Sequence, residues 1–167
     1  MKNILCTLTV AGLFLTGLQA QDGSEFDFWV GEWNLTWQYP DGSQGSGTNN
    51  IIKTLDGKVI VENFQVTDSG AYKGFKGTSI SVFNPNTKTW NQAWADNQGG
   101  YFNFTGTVEN GERIFHTTRV NQPGKESLLR MRFYRIEKDC LVWDWEQSTD
   151  GGSIWNLQWR INYKRKS

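Results

Sequence analysis

Histidine, cysteine, proline and methionine are all scarce in this 167-residue chain, which holds one His, two Cys, three Pro and two Met. Each scarcity excludes something. Lys2 precedes an apolar and small-residue run from Ile4 to Leu18, which ends in Leu18-Gln19-Ala20. That layout is a secretory leader, and the run is short of the roughly 20 apolar residues a membrane-spanning helix needs. Cleavage is expected after Ala20, which removes Cys6 and leaves Cys140 as the sole cysteine. An intrachain disulfide and a two-cysteine metal site are then excluded, and with no Cys at the cut so is lipid attachment there. Cys140 itself reads as a small buried apolar residue. An excess of either charge is also lacking, with 17 Lys and Arg against 17 Asp and Glu. Neither nucleic acid nor an anionic membrane is indicated as a partner. Beyond the leader there is no long apolar run and no helical periodicity of any length.

What the chain does hold is aromatic residues, 9 Trp and 10 Phe, set in period-two sequence. A leader over residues 1–20 and one domain over residues 21–167 form the expected layout, in a periplasmic or secreted protein. The domain opens with a short turn around Phe26–Trp29, followed by alternating segments broken by Tyr39-Pro40-Asp41-Gly42, Asp56-Gly57, Asn84-Pro85-Asn86, Asn97 to Gly100, Glu109-Asn110-Gly111, Asn121 to Gly124 and Lys138-Asp139. About ten strands at this spacing predict an all-β fold, a single antiparallel up-and-down barrel whose closure removes exposed edges. Trp33, Leu35 and Trp37 share one face of the first strand. Trp155, Leu157, Trp159, Ile161 and Tyr163 share one face of the last. On the fifth, Trp90, Gln92, Trp94 and Asp96 share a face, so large aromatics stand beside hydrogen-bonding groups, the pattern of a cavity wall more than of a solid core. The looser stretch Asp68–Gly77, with Tyr72 and Phe75, is placed to lie over a barrel mouth.

Three ordered stretches, Phe26-Asp27-Phe28-Trp29-Val30-Gly31-Glu32-Trp33, Trp90-x-Gln92-x-Trp94-x-Asp96 and Glu146-x-Ser148-x-Asp150-Gly151-Gly152-x-x-Trp155, resemble the DUF1579 family of bacterial proteins over nearly the whole mature chain. The resemblance implies a calycin-like barrel and carries no function with it. Gly31-Glu32-Trp33 also resembles the lipocalin opening, whose Trp packs at the closed end of the barrel under an Arg of the last strand. It implies a structural Trp33–Arg165 stack, a cation–π contact of about 0.5–2 kcal/mol.

Ser148-x-Asp150-x-Gly152-x-x-Trp155 is similar to the Asp-box, a hairpin device in which Asp and Ser bond turn amides while the Trp packs below. One copy without blade repeats makes no propeller. His116 reads as a half-buried strand residue, with an axial haem ligand as the sharper alternative. Nothing in the spacing indicates a metal site, no catalytic residue is assigned, and no cofactor is implied. Among the carboxylates, Glu62 shares a face with Ile60 and Phe64, and burial there would raise its pKa and poise it as an acid or base. Asp96 and Glu146 read as exposed or paired with Arg130 or Arg132. Core packing explains most of the tryptophans, and a cavity edged by Glu62, Trp90, Gln92, Trp94, Asp96, Phe104 and Trp143, with His116 as a further candidate, explains the rest.

The expectation is a binder of a small, partly apolar molecule. A cofactor-independent enzyme using Glu62 and Asp96 and a glycan-binding module are the rivals. An exposed Trp patch would favour the glycan module, a deep pocket with a buried, pKa-shifted carboxylate the enzyme, and an apolar pocket lacking one the binder.

Overall fold

A computed structural model describes residues 22–122 and 125–166, without the side chains of 118–122, 125 and 126. The expected leader and the Pro123-Gly124 turn lie outside the described residues. Short turns join ten strands: β1 (Gly31–Gln38), β2 (Gln44–Thr54), β3 (Val59–Val66), β4 (Lys76–Asn84), β5 (Thr89–Asp96), β6 (Tyr101–Glu109), β7 (Glu112–Gln122), β8 (Lys125–Tyr134), β9 (Cys140–Ser148) and β10 (Asn156–Arg165). Each pairs antiparallel with its sequence neighbours, and β1 with β10, so the sheet closes into an up-and-down barrel. The closing seam sets Trp33 opposite Arg165 and Leu35 opposite Tyr163. Among the described residues no helix is long and apolar enough to cross a membrane.

One end of the barrel is plugged. A 3-10 turn over Asp27–Trp29 tucks under it, burying Phe26 and Trp29 completely. Phe26 stacks on Phe115 at 4.4 Å, and Trp29 meets the edge of Phe133 at 5.1 Å. Glu25 accepts from Trp90 Nε1 at 2.8 Å. Arg165 clamps the plug from the far end of the chain, donating to the carbonyls of Val30 (3.0 Å) and Phe28 (3.2 Å) while its guanidinium lies 4.1 Å from the Trp33 ring centre. Gly31 makes room for it: its φ is +139°, and a Cβ there would run into Arg165 Nη1.

Two expectations about faces are corrected. A β-bulge between Leu157 and Trp159 breaks the alternation of β10. Trp159, Ile161 and Tyr163 stay inside, whereas Leu157, opposite Glu146, and Trp155 stand on the outer face, where Arg130 lies 3.9 Å over the Trp155 ring. Cys140 is exposed instead of buried, because it opens β9 beside the closed-end turn, where Glu137 accepts from its thiol.

The outer wall of β7–β10 is clad in ion pairs. Asp144, itself fully buried, binds Arg160 through two 2.7 Å bonds. Glu146 takes Arg130 at 2.6 Å and Arg132 at 3.2 Å, and Arg132 also reaches Glu112 at 2.6 Å. Arg130, Arg132 and Arg160 are thus engaged outside the barrel.

Candidate functional site

Between the plug and the open end lies a cavity of about 330 Å³. Register and alternation build it. Inward positions supply Glu62 and Phe64 from β3, Trp94 and Asp96 from β5, Phe102 and Phe104 from β6, Leu129 and Met131 from β8, Trp143 and Trp145 from β9, and Trp159, Ile161 and Tyr163 from β10. Gln147 and Gln158 edge the mouth strands. Neighbouring rings meet at steep angles: Trp143 and Trp159 at 6.2 Å and 87°, Phe102 and Trp145 at 5.9 Å and 67°.

The β3–β4 segment does lie at the mouth. Phe75 lines the cavity and packs on Phe64 at 5.9 Å, and Tyr72 packs on Trp159 at 5.1 Å and Tyr39 at 5.3 Å. Asp68 ties this segment to the β1–β2 hairpin, accepting from Tyr39 Oη at 2.9 Å and Ser46 N at 2.7 Å.

Glu62 is the polar anchor of the cavity. Only 5 % exposed, it accepts from Asn49 Nδ2 and from Ser79 Oγ, both at 2.6 Å. Asn49 Nδ2 also reaches Tyr163 Oη at 3.2 Å, and Gln92 Nε2 donates to Ser79 (3.3 Å) and Ser81 (2.9 Å). Burial pushes the Glu62 carboxyl up to about 7 against the lowering effect of Ser79 and Asn49. Burial, and then the Glu62 charge, also raise the Tyr163 phenol, which therefore stays protonated. Asp96 behaves differently. Its partial desolvation is outweighed by bonds from Gly100 N (2.8 Å), Trp94 Nε1 (3.2 Å) and Gln98 N (2.9 Å), so its carboxyl titrates below the usual value and stays ionised.

Of the residues singled out in the sequence, Glu62, Trp94, Asp96, Phe104 and Trp143 come together around this space. Trp90 and Gln92 point inward but stand behind it: Trp90 packs with Phe26 in the plug, and Gln92 is 2 % exposed among the serines. His116 is exposed on the outer face of β7, opposite Thr105 and Arg130, so it faces away from any group held in the cavity. Ser148, Asp150 and Gly152 form a turn. Ser148 Oγ donates to Asp150 Oδ1 (2.7 Å) and accepts from Gly152 N (2.9 Å), and Ile154 N reaches Asp150 Oδ1 (3.0 Å). Among the described residues no group of three or more His, Cys, Asp or Glu is placed to hold a metal ion.

Sequence reading missed Asn49 and Ser79, the partners of Glu62, and the place of Tyr163 beside Asn49. It also missed that β4 runs against the usual rule, with Ser79 and Ser81 inside and Ile80 (54 % exposed) and Val82 (39 %) outside. Space explains the inversion. The Trp94 indole occupies the volume a side chain at Gly77 would take, and Glu62 and Gln92 reach across the strand, so only small residues fit beneath them.

Fold and cavity together describe an up-and-down β-barrel with one end plugged and an aromatic chamber opening at the other. Compared with known proteins, the chain matches no protein-family model and no curated sequence.

Proposed function

We propose that this protein, exported through the leader over residues 1–20, binds a small, partly apolar molecule inside its barrel. The observation that carries the reading is the chamber of about 330 Å³ walled by tryptophan and phenylalanine around one buried carboxylate. Small-molecule sites run from about 300 to 1,000 Å³, with apolar walls for affinity and a few polar groups for orientation. Glu62 is the orienting group and Asp96 marks the rim. The three stretches that resemble the DUF1579 family fall in the plug and β1, on β5, and in β9 and the turn after it, and membership of that family is part of the proposal.

Native mass spectrometry of the protein purified from the cells that make it, with organic extraction of what it retains, tests the reading. A bound mass is expected that disappears when Met131→Trp fills the chamber. A bound mass that survives in that variant would place the ligand elsewhere.

A second reading, proton-transfer catalysis, is favoured by one observation: a buried carboxyl whose pKa lies near neutrality in a deep pocket. Glu62 has both oxygens engaged by the neutral donors Asn49 and Ser79, and among the described residues no His, Lys or Cys lines the chamber to act with it. Binding therefore stands first. Turnover of the extracted compound, lost in Glu62→Gln with its binding kept, would reverse the order. All nine tryptophans are described, and none stands among the exposed large hydrophobic residues, which weighs against an outer-surface glycan platform.

A further inference from the structure

Resting on the reading of the chamber as a small-molecule site, we propose that its ligand is a hydrophobic amine bound as the ammonium, its positive end toward Glu62 and its apolar body among the tryptophans.

Charge comes first. Two carboxylates reach the chamber, Glu62 at its inner end and Asp96 at its rim, and among the described residues no Lys, Arg or His lines it. The three described arginines of the neighbouring wall do not supply the missing charge. Arg130, Arg132 and Arg160 are on the outer wall, held by Glu146, Glu112 and Asp144. Glu62 is thus a buried acid with two neutral hydrogen-bond donors and no cation, and a buried carboxylate is expensive unless paired. An anionic ligand would meet like charge at both ends of the chamber. A neutral apolar one would leave the acid as it is. An ammonium compensates it.

Hydrogen-bond supply points the same way. Around Glu62 the protein is short of donors: behind the chamber wall Asn49 Oδ1 and Gln92 Oε1 are buried and accept nothing, and each Glu62 oxygen has a single neutral donor. An ammonium brings three N–H groups and no acceptor.

The walls agree with both. Cations bind over the faces of aromatic rings, Trp best of all. Trp94, Trp143, Trp145 and Trp159 surround the space, and the near-perpendicular Trp143–Trp159 pair offers ring planes in two orientations.

Three probes of one shape and different charge test the proposal: phenylbutylammonium, phenylbutanol and phenylbutanoate. Their affinities are measured by titration calorimetry on the native protein near about pH 8, where Glu62 is largely ionised and the amine still protonated. The ammonium should bind about tenfold more tightly than the alcohol, and the carboxylate most weakly. Glu62→Gln should erase the difference between ammonium and alcohol. Alcohol binding as tight as ammonium binding, or carboxylate binding tighter than either, overturns the amine while leaving the chamber as a ligand site. Binding of none of the three overturns both. The native protein alone decides among these outcomes, whatever the stability of the variant.

Discussion

Glu62 is enclosed by Asn49 from β2, Ser79 from β4 and Tyr163 from β10, and none of them carries a positive charge. Burial raises its carboxyl from the ordinary 4.5 to about 7, so between those values the native state holds a proton that the unfolded chain has released. This group's effect on stability is therefore most favourable below about 4.5 and is lost as the pH rises through about 7, a change of roughly 3 kcal/mol. Urea unfolding near about pH 5 and pH 8 should show Glu62→Gln gaining on the native protein by that order. Parallel profiles would mean that Glu62 is not desolvated. Gly31 makes a second case at this scale. Ala there meets both a φ of +139° and the Arg165 guanidinium, and should cost about 2–4 kcal/mol in thermal or urea unfolding. Glu62 was legible in the sequence because Ile60 and Phe64 flank it on its face. Asn49 and Ser79 were not: Asn49 sits in a polar, glycine-bearing stretch with Ile51 as the one large apolar residue on its face, and Ser79 alternates with Ile80, so each reads as facing water until the neighbouring strands are known.

Among the elements, the N-terminal turn acts as a stopper made of aromatic rings. Phe26→Ala should lower stability by about 3–5 kcal/mol through the hole it leaves beside Phe115 and Phe133. Arg165→Lys keeps the charge but loses the planar fork that reaches two carbonyls and covers Trp33 at once, and should cost about 1–3 kcal/mol by the same measurement. A lysine variant as stable as the native protein would show the clamp to be charge alone. Strands were easy to read here because Asp-Gly, Asn-Pro and Glu-Asn-Gly turns separate clear alternations. The bulge in β10 was hidden by its own composition: Trp155, Leu157 and Trp159 keep a perfect period of two while the backbone slips one residue between the last two. Only pairing with β9, where Glu146 and Trp145 face opposite ways, reveals it.

For the molecule as a whole, the seam between β1 and β10 joins residues from the two ends of the domain. Such contacts make closure a late, long-range event, with folding expected in milliseconds to seconds. A chain ending at Gly152 lacks β10, leaves β1 and β9 as open edges, and should aggregate without a cooperative unfolding transition. Cooperative unfolding of that fragment would show that closure is dispensable. The seam also fixes a direction in space. Lys166 N donates to Glu32 O at 2.8 Å, and the plug beginning at residue 22 packs on the same pole. Both ends of the described chain thus depart from the stoppered pole. Whatever is fused or tethered at either terminus holds the barrel by its base, and molecules so anchored turn their apertures outward like cups on a tray.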